Sequence, residues 1–181
     1  MIQKTISLFI ALLFLNIVGF SQVLLEKTSL LEKQIEMLIP TGFSQLSKEM
    51  IANKYPTATD KPNWAIADKD AKVNLAYTYT QLFMDDNSIP GYSDELLTKI
   101  RTNLKNIEYI DDGILLQDGK NIGYIKFISQ AKNEKIFNYF FYISLNNRLL
   151  LFNFTCTNKW RDKWEVKAEE IANSIRAITL N

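Results

Sequence analysis

The stretch Ile136–Leu145 reads I-F-N-Y-F-F-Y-I-S-L, and the fold turns on it. In an extended conformation Phe137, Tyr139, Phe141 and Ile143 point to one face. Ile136, Phe140, Tyr142 and Leu145 are expected on or near the other. Asn138 and Ser144 are its only small polar interruptions. A strand with one wet face alternates apolar and polar, whereas one that is apolar on both faces is covered on both. The β-branched and aromatic content favours strand over helix. The next run, Leu149–Cys156, behaves alike: Leu149 and Leu151 share one side, and Leu150, Phe152, Phe154 and Cys156 share the other. Between the runs, Asn146-Asn147 tolerates positive φ and suits a two-residue hairpin. Two adjacent central strands of an antiparallel sheet follow, with layers on both faces.

Outward from this hairpin the same reasoning assigns the remaining elements. Tyr109–Gln117 and Ile122–Gln130 flank Asp118-Gly119, a strong hairpin signal, and Lys132–Glu134 turns into the central strand. Ser93 is expected to cap a helix with Asp94 and Glu95 in its first turn and Leu96, Leu97, Ile100 and Leu104 as its buried stripe. Asn63–Ala67 and Lys72–Gln81 read as strands joined at Asp68–Asp70. The second has a polar face of Asn74, Ala76, Thr78 and Thr80 and is expected nearer an edge. Ser47 caps a short helix over 48–54, which Tyr55-Pro56 ends. Val23–Pro40 is ambiguous in its first half, which admits a helix; from Gln34 its alternation predicts a strand ending at Pro40. A last helix starts at Thr157 or Asn158 and packs Trp160, Trp164, Ala168, Ile171, Ile175 and Ile178 on the sheet. The expected architecture is α+β: a largely antiparallel β-sheet with helices on both faces, an α/β/α sandwich.

The chain has 181 residues. Lys4 precedes an almost wholly apolar run from Ile6 to Phe20, and Gly19 and Ser21 bracket a cleavage point before Gln22. That is the layout of a secretory signal peptide over 1–21, too short at roughly 15 residues to span a bilayer. The segment contains no Cys, so it is not a lipoprotein signal. The expectation is a periplasmic or secreted single domain over 22–181, with no membrane span after cleavage. Loss of Lys4 takes 21 basic residues to 20, against 20 acidic ones. Such neutrality does not recommend a nucleic-acid partner. The one cysteine, Cys156, can form no internal bridge.

With no histidine in the chain, Ser-His-Asp and Cys-His nucleophile chemistry and His-ligated metals are excluded in their usual forms. Cys156, on a face with Phe152 and Phe154, reads as a small core residue with no activating partner. Asp85-Asp86 and Asp111-Asp112 lack the spaced oxygen ligands of a calcium loop and read as turn residues. Tyr77, Tyr79, Tyr139 and Tyr142 with Lys126 read as core packing rather than base stacking. Trp160 and Trp164 read as helix-to-sheet anchors rather than a sugar platform. No catalytic residue, cofactor or metal is assigned.

The loop Leu82–Tyr92 carries Phe83, Met84, Ile89 and Tyr92. Loops run over the surface, so these side chains either fold back as a lid on the core or form a contact patch for a protein partner.

I-E-M-L-I-P-T-G-F at 35–43, the meander from Tyr109 to Cys156, and the closing W-x(3)-W…I-A-N-S-I of 160–175 resemble the PsbP-like superfamily. That superfamily includes DcrB-like envelope proteins and a Ran-binding nuclear transport factor. The resemblance spans about Gln34 to Ile178 and implies a non-enzymatic binding module. It transfers no active-site residues, and fold analogy cannot name a partner. The expected function is an exported interaction module: an envelope adaptor, chaperone-like protein or accessory subunit acting on another envelope or secreted protein. A carrier of a small apolar ligand or lipid is the alternative, and a carboxylate-based hydrolase a third.

Overall fold

The structure is a computed structural model that describes residues 23–56 and 61–178. The expected signal peptide lies outside the described residues. The meander forms as read: β6 (Glu108–Gln117), β7 (Lys120–Gln130), β8 (Lys135–Leu145) and β9 (Arg148–Thr157) pair antiparallel in sequence. Its tight turns use positive φ at Asp118 (50°) and Gly119 (76°), and at Asn146 (51°) and Asn147 (56°), as hairpins that follow the strand twist require.

Upstream lie β3 (Ser44–Gln45), α1 (Lys48–Lys54), β4 (Trp64–Ala67) and β5 (Val73–Phe83). Ser47 caps α1 as expected, its Oγ accepting from the Met50 N–H at 3.1 Å. The seven strands run in the order β3-β4-β5-β9-β8-β7-β6. So β5 is not near an edge along its whole length. It is third of seven, and Val73–Tyr77 is buried. The polar reading holds beyond Tyr77, where β4 stops: its last pair is Trp64 with Tyr77.

Two helices and one 3-10 turn cover the first face. A 3-10 turn (Asp86–Gly91) leads directly into α2 (Tyr92–Asn103), which starts one residue before Ser93. Gly91 occupies the cap position with no side-chain bond, because the preceding turn already satisfies the entry: the Tyr92 N–H donates to the Ile89 carbonyl. Leu96 and Ile100 are buried and Leu97 half-buried, but Leu104 leaves the helix in extended geometry and is exposed. Beneath lie Ile125, Phe127, Tyr142 and Leu149. Further along this face α1 sets Ile51 over Ala65, Ala67 and Ala76.

The opposite face carries α3 (Arg161–Asn173), entered through a 3-10 turn over Asn158–Trp160 rather than directly from Thr157. Trp164, Ala168, Ile171 and Ile175 are buried against Phe137, Tyr139, Phe141, Phe152 and Phe154. Leu145 joins this face and not the other, since strand side chains alternate strictly from Phe137. Ile178 lies past the helix end and is exposed.

The structure adds a second sheet. β1 (Leu25–Leu30), where the sequence admits a helix, pairs with β2 (Ile35–Pro40) from Leu25–Pro40 to Leu30–Ile35. The turn between them holds Leu31, Glu32 and Lys33 at φ of 50°, 55° and 69°. Pairing with β2 overrides a weak helical propensity. β10 (Arg176–Ala177) joins the other side of β2. Leu30, Ile35 and Met37 thereby complete the core under α3. The architecture is the α+β sandwich the sequence predicts, enlarged by this small sheet.

Candidate functional site

Four apolar residues of one segment, Phe83, Met84, Ile89 and Tyr92, are separated by the structure. Met84, Ile89 and Tyr92 are buried, at 5%, 0% and 6% exposure. Phe83 is 69% exposed, and its neighbour Leu82 40%. The buried three are held by polar bonds as well as packing. The Met84 N–H donates to the Asn147 carbonyl at 3.0 Å, and Ser144 Oγ donates to the Met84 carbonyl at 2.6 Å. Asp85 accepts from the Ser88 N–H at 2.8 Å, and Asp86 accepts from Asn121 Nδ2 at 3.1 Å. Tyr92 meets Tyr142 edge to face at 5.3 Å. Met84 to Tyr92 is therefore a strap sewn to the β8–β9 turn and to the start of β7.

Phe83 escapes because the pairing of β5 with β9 slips between Tyr79 and Phe83. Tyr79 faces Leu150 but Phe83 faces Arg148, four steps along β5 against two along β9. The extra residues bulge and turn the strand end outward. Beside it opens a groove of about 480 Å³ between α2 and the last part of β5. Its floor is Tyr92, Leu96, Leu149 and Leu151; Thr78, Thr80, Gln81 and Lys99 form the rim, and Leu82 stands at one end. The Lys99 ammonium pairs with Glu95 at 2.6 Å and lies 5.6 Å from the Tyr92 ring. Among the described residues no strand covers β5 from Thr78 onward on its outer side. The sequence signal for this groove was the polar alternation Thr78, Thr80 next to a helix: a sheet face that its helix does not fully cover.

The other candidates resolve into structure. Burial pushes the Cys156 thiol up to about 12, as for an inert core residue. Trp164 packs between Phe43 and Phe154 at 5.6 and 5.7 Å, while Trp160 is half-buried. Tyr139 and Tyr142 are buried on opposite faces, and desolvation raises both phenols. Asp111 accepts from the Tyr124 hydroxyl at 3.0 Å and Asp112 from that of Tyr109.

The structure also brings together a charged cluster between α3 and β7. The Lys126 ammonium, 9% exposed, donates to Glu165 at 3.2 Å and to Glu169, 5.3 Å from the Tyr139 ring. Arg161 Nε donates to Glu165 at 2.7 Å. Burial alone would lower the Lys126 pKa; the two carboxylates outweigh it and raise it, so the amine stays charged. Among the described residues no three carboxylate, Cys or His side chains gather as metal ligands. No helix among them is long and apolar enough to cross a membrane.

No protein-family model matches this sequence, and no curated protein matches it. Solved structures do. The cyanobacterial PsbP protein (CyanoP) of Synechocystis superposes with a TM-score of 0.61 at 12% identity, covering 88% of this chain and 96% of that one. A Ran-binding protein of Saccharomyces cerevisiae gives 0.53 at 9% identity, over 86% and 96%. A protein of unknown function from Pseudomonas aeruginosa gives 0.51 at 11%, over 86% and 99%. The fold is PsbP-like, as the sequence pattern implies.

Proposed function

We propose that the chain is an exported, non-enzymatic interaction module that docks another envelope or secreted protein at Leu82–Phe83 and the adjoining groove. One observation carries this reading. Two consecutive large apolar side chains stand exposed on a segment whose next residues are anchored, and the first of them, Leu82, borders an apolar-floored groove with a polar rim. Contact sites take this form, an apolar centre held rigid and rimmed by polar groups. The fold adds support at a coarser level, since a Ran-binding protein shares it. Export rests on the N-terminal layout of Lys4 and the apolar run that follows. The near-neutral charge favours no nucleic-acid partner.

Native mass spectrometry of the protein recovered gently from its host's envelope tests this. A discrete protein adduct is expected, lost in a Leu82→Ser/Phe83→Ser variant of unchanged melting temperature. The groove volume favours one second reading, a small apolar ligand, because it falls in the range of ligand sites. An adduct of a few hundred daltons, kept in that variant and lost in Leu151→Lys, would replace the first reading with the second.

A further inference from the structure

We propose that the outer edge of β6 is a second docking site, for an extended partner segment that carries two apolar side chains at alternate positions followed by a basic one. β6 is a ten-residue strand at the end of the seven-stranded sheet, and among the described residues no strand pairs with its outer side. A free edge of that length is a row of unsatisfied N–H and C=O groups, whose best complement is another strand. Sheets guard such edges with short strands, lysines, prolines or bulges. The opposite edge is guarded, since β3 is two residues long.

β6 is guarded along only half its length. Its pairing with β7 shifts at Ile110, between Tyr109 and Asp111. Beyond that bulge, Gly113–Gln117 reads G-I-L-L-Q, with neither lysine nor proline. Ile114 and Leu116 are 39% and 72% exposed and share a face with Asp112. Asp111 and Asp112 accept only from the phenols of Tyr124 and Tyr109, and no cation among the described residues pairs with either. An antiparallel segment reading apolar-x-apolar-x-Lys/Arg would set its apolar groups on Leu116 and Ile114 and its cation on Asp112.

Charge selects this occupant over a second copy of the chain. Glu108–Gln117 contains no lysine or arginine, so no two-fold pairing within β6 can set a cation on Asp112. One centred on Asp112 sets that carboxylate against itself. Like charges directly opposed destabilise a strand pair.

The test titrates the full chain into a fluorescent peptide, Thr-Val-Thr-Val-Thr-Lys-Thr, and reads anisotropy and amide hydrogen exchange. Saturable binding with slowed exchange at Gly113–Leu116 is expected. Leu116→Lys should weaken it at least tenfold. Asp112→Lys should weaken it about fivefold and reverse the preference towards a peptide with Glu in place of Lys. Absence of binding at millimolar peptide, equal binding of the Lys and Glu peptides, or protection elsewhere would overturn the proposal. A dimer in sedimentation that Leu116→Lys dissolves would overturn it in favour of self-pairing. Because this edge is distinct from Leu82–Phe83, the peptide should bind the Leu82→Ser/Phe83→Ser variant as tightly as the parent, so either site can fail alone.

Discussion

Under α3 the sheet presents Phe137, Tyr139, Phe141, Ile143, Leu150, Phe152, Phe154 and Cys156, none more than 4% exposed. Under α2 it presents Ile125, Phe127, Tyr142 and Leu149, and farther along a polar row of Asn74, Asn138, Asn153 and Thr157. The first face is sealed twice, by α3 and by the small sheet of β1, β2 and β10. The second carries α2 at one end and a seven-residue helix over alanines at the other. One face therefore supplies most of the buried apolar area. That leaves the other free to end in a partly covered groove and a bulged strand.

Breaking the sealed face should have the largest effect. Phe152 stacks on Phe141 at 5.0 Å and meets Tyr77 at 6.0 Å. Phe152→Ala should cost about 4 kcal/mol in urea unfolding, since it leaves a cavity in a centre that cannot collapse. A loss below about 1.5 kcal/mol would mean that the two faces share the load.

The next contrast lies within the second face, between neighbours. Met84→Ser should cost about 3 kcal/mol, through lost burial and a hydroxyl placed in the core. Phe83→Ser should change stability by less than about 0.5 kcal/mol, as surface substitutions do. Equal losses would show that Phe83 is covered in solution. A smaller effect, about 2 kcal/mol, is expected of Gly123→Ala. Gly123 pairs with Tyr142, and an added Cβ would overlap the tyrosine ring, 2.3 Å from two of its carbons. Shortening the ring by Tyr142→Leu in the same chain should recover part of the loss. If Gly123→Ala alone is neutral, the α2 face is looser than its packing implies.

These contrasts track what the residues announced. The central hairpin was legible because both strands are apolar on both faces and Asn-Asn marks the turn. The division of β9 into Leu149 and Leu151 against Leu150, Phe152, Phe154 and Cys156 follows from period two alone. β1 was not legible, because V-L-L-E-K-T-S-L suits either periodicity and its turn carries Leu31, Glu32 and Lys33 at positive φ with no glycine to signal it. For the segment after β5, the sequence admits a lid on the core or an exposed patch; Met84, Ile89 and Tyr92 fold back on the core and Phe83 stays exposed. What decides between them is the slip of β5 against β9, a tertiary register that composition does not encode. The Lys126 cluster was hidden for the same reason: Glu165 and Glu169 lie some forty residues away and meet it only once α3 docks.

That cluster gives a smaller loss again and locates α3 on its face. Burial by itself would raise the Glu165 pKa; the Arg161 guanidinium and the Lys126 ammonium outweigh it and hold the carboxyl below its ordinary 4.5. A carboxyl depressed on folding adds stability above its unfolded pKa and loses it as pH falls through the folded one. At pH 7 Glu165→Gln should therefore cost about 1 kcal/mol, the loss of a charged hydrogen bond whose partner Lys126 keeps Glu169. As pH falls from the ordinary 4.5 through the lower folded value, the parent protonates Glu165, and its unfolding curve should converge on that of the variant. Urea titrations of both chains at pH 7 and at pH 3 would show this. A gap that stays constant with pH would mean that Glu165 acts by packing rather than by charge, and that α3 is held to the sheet by its apolar stripe alone.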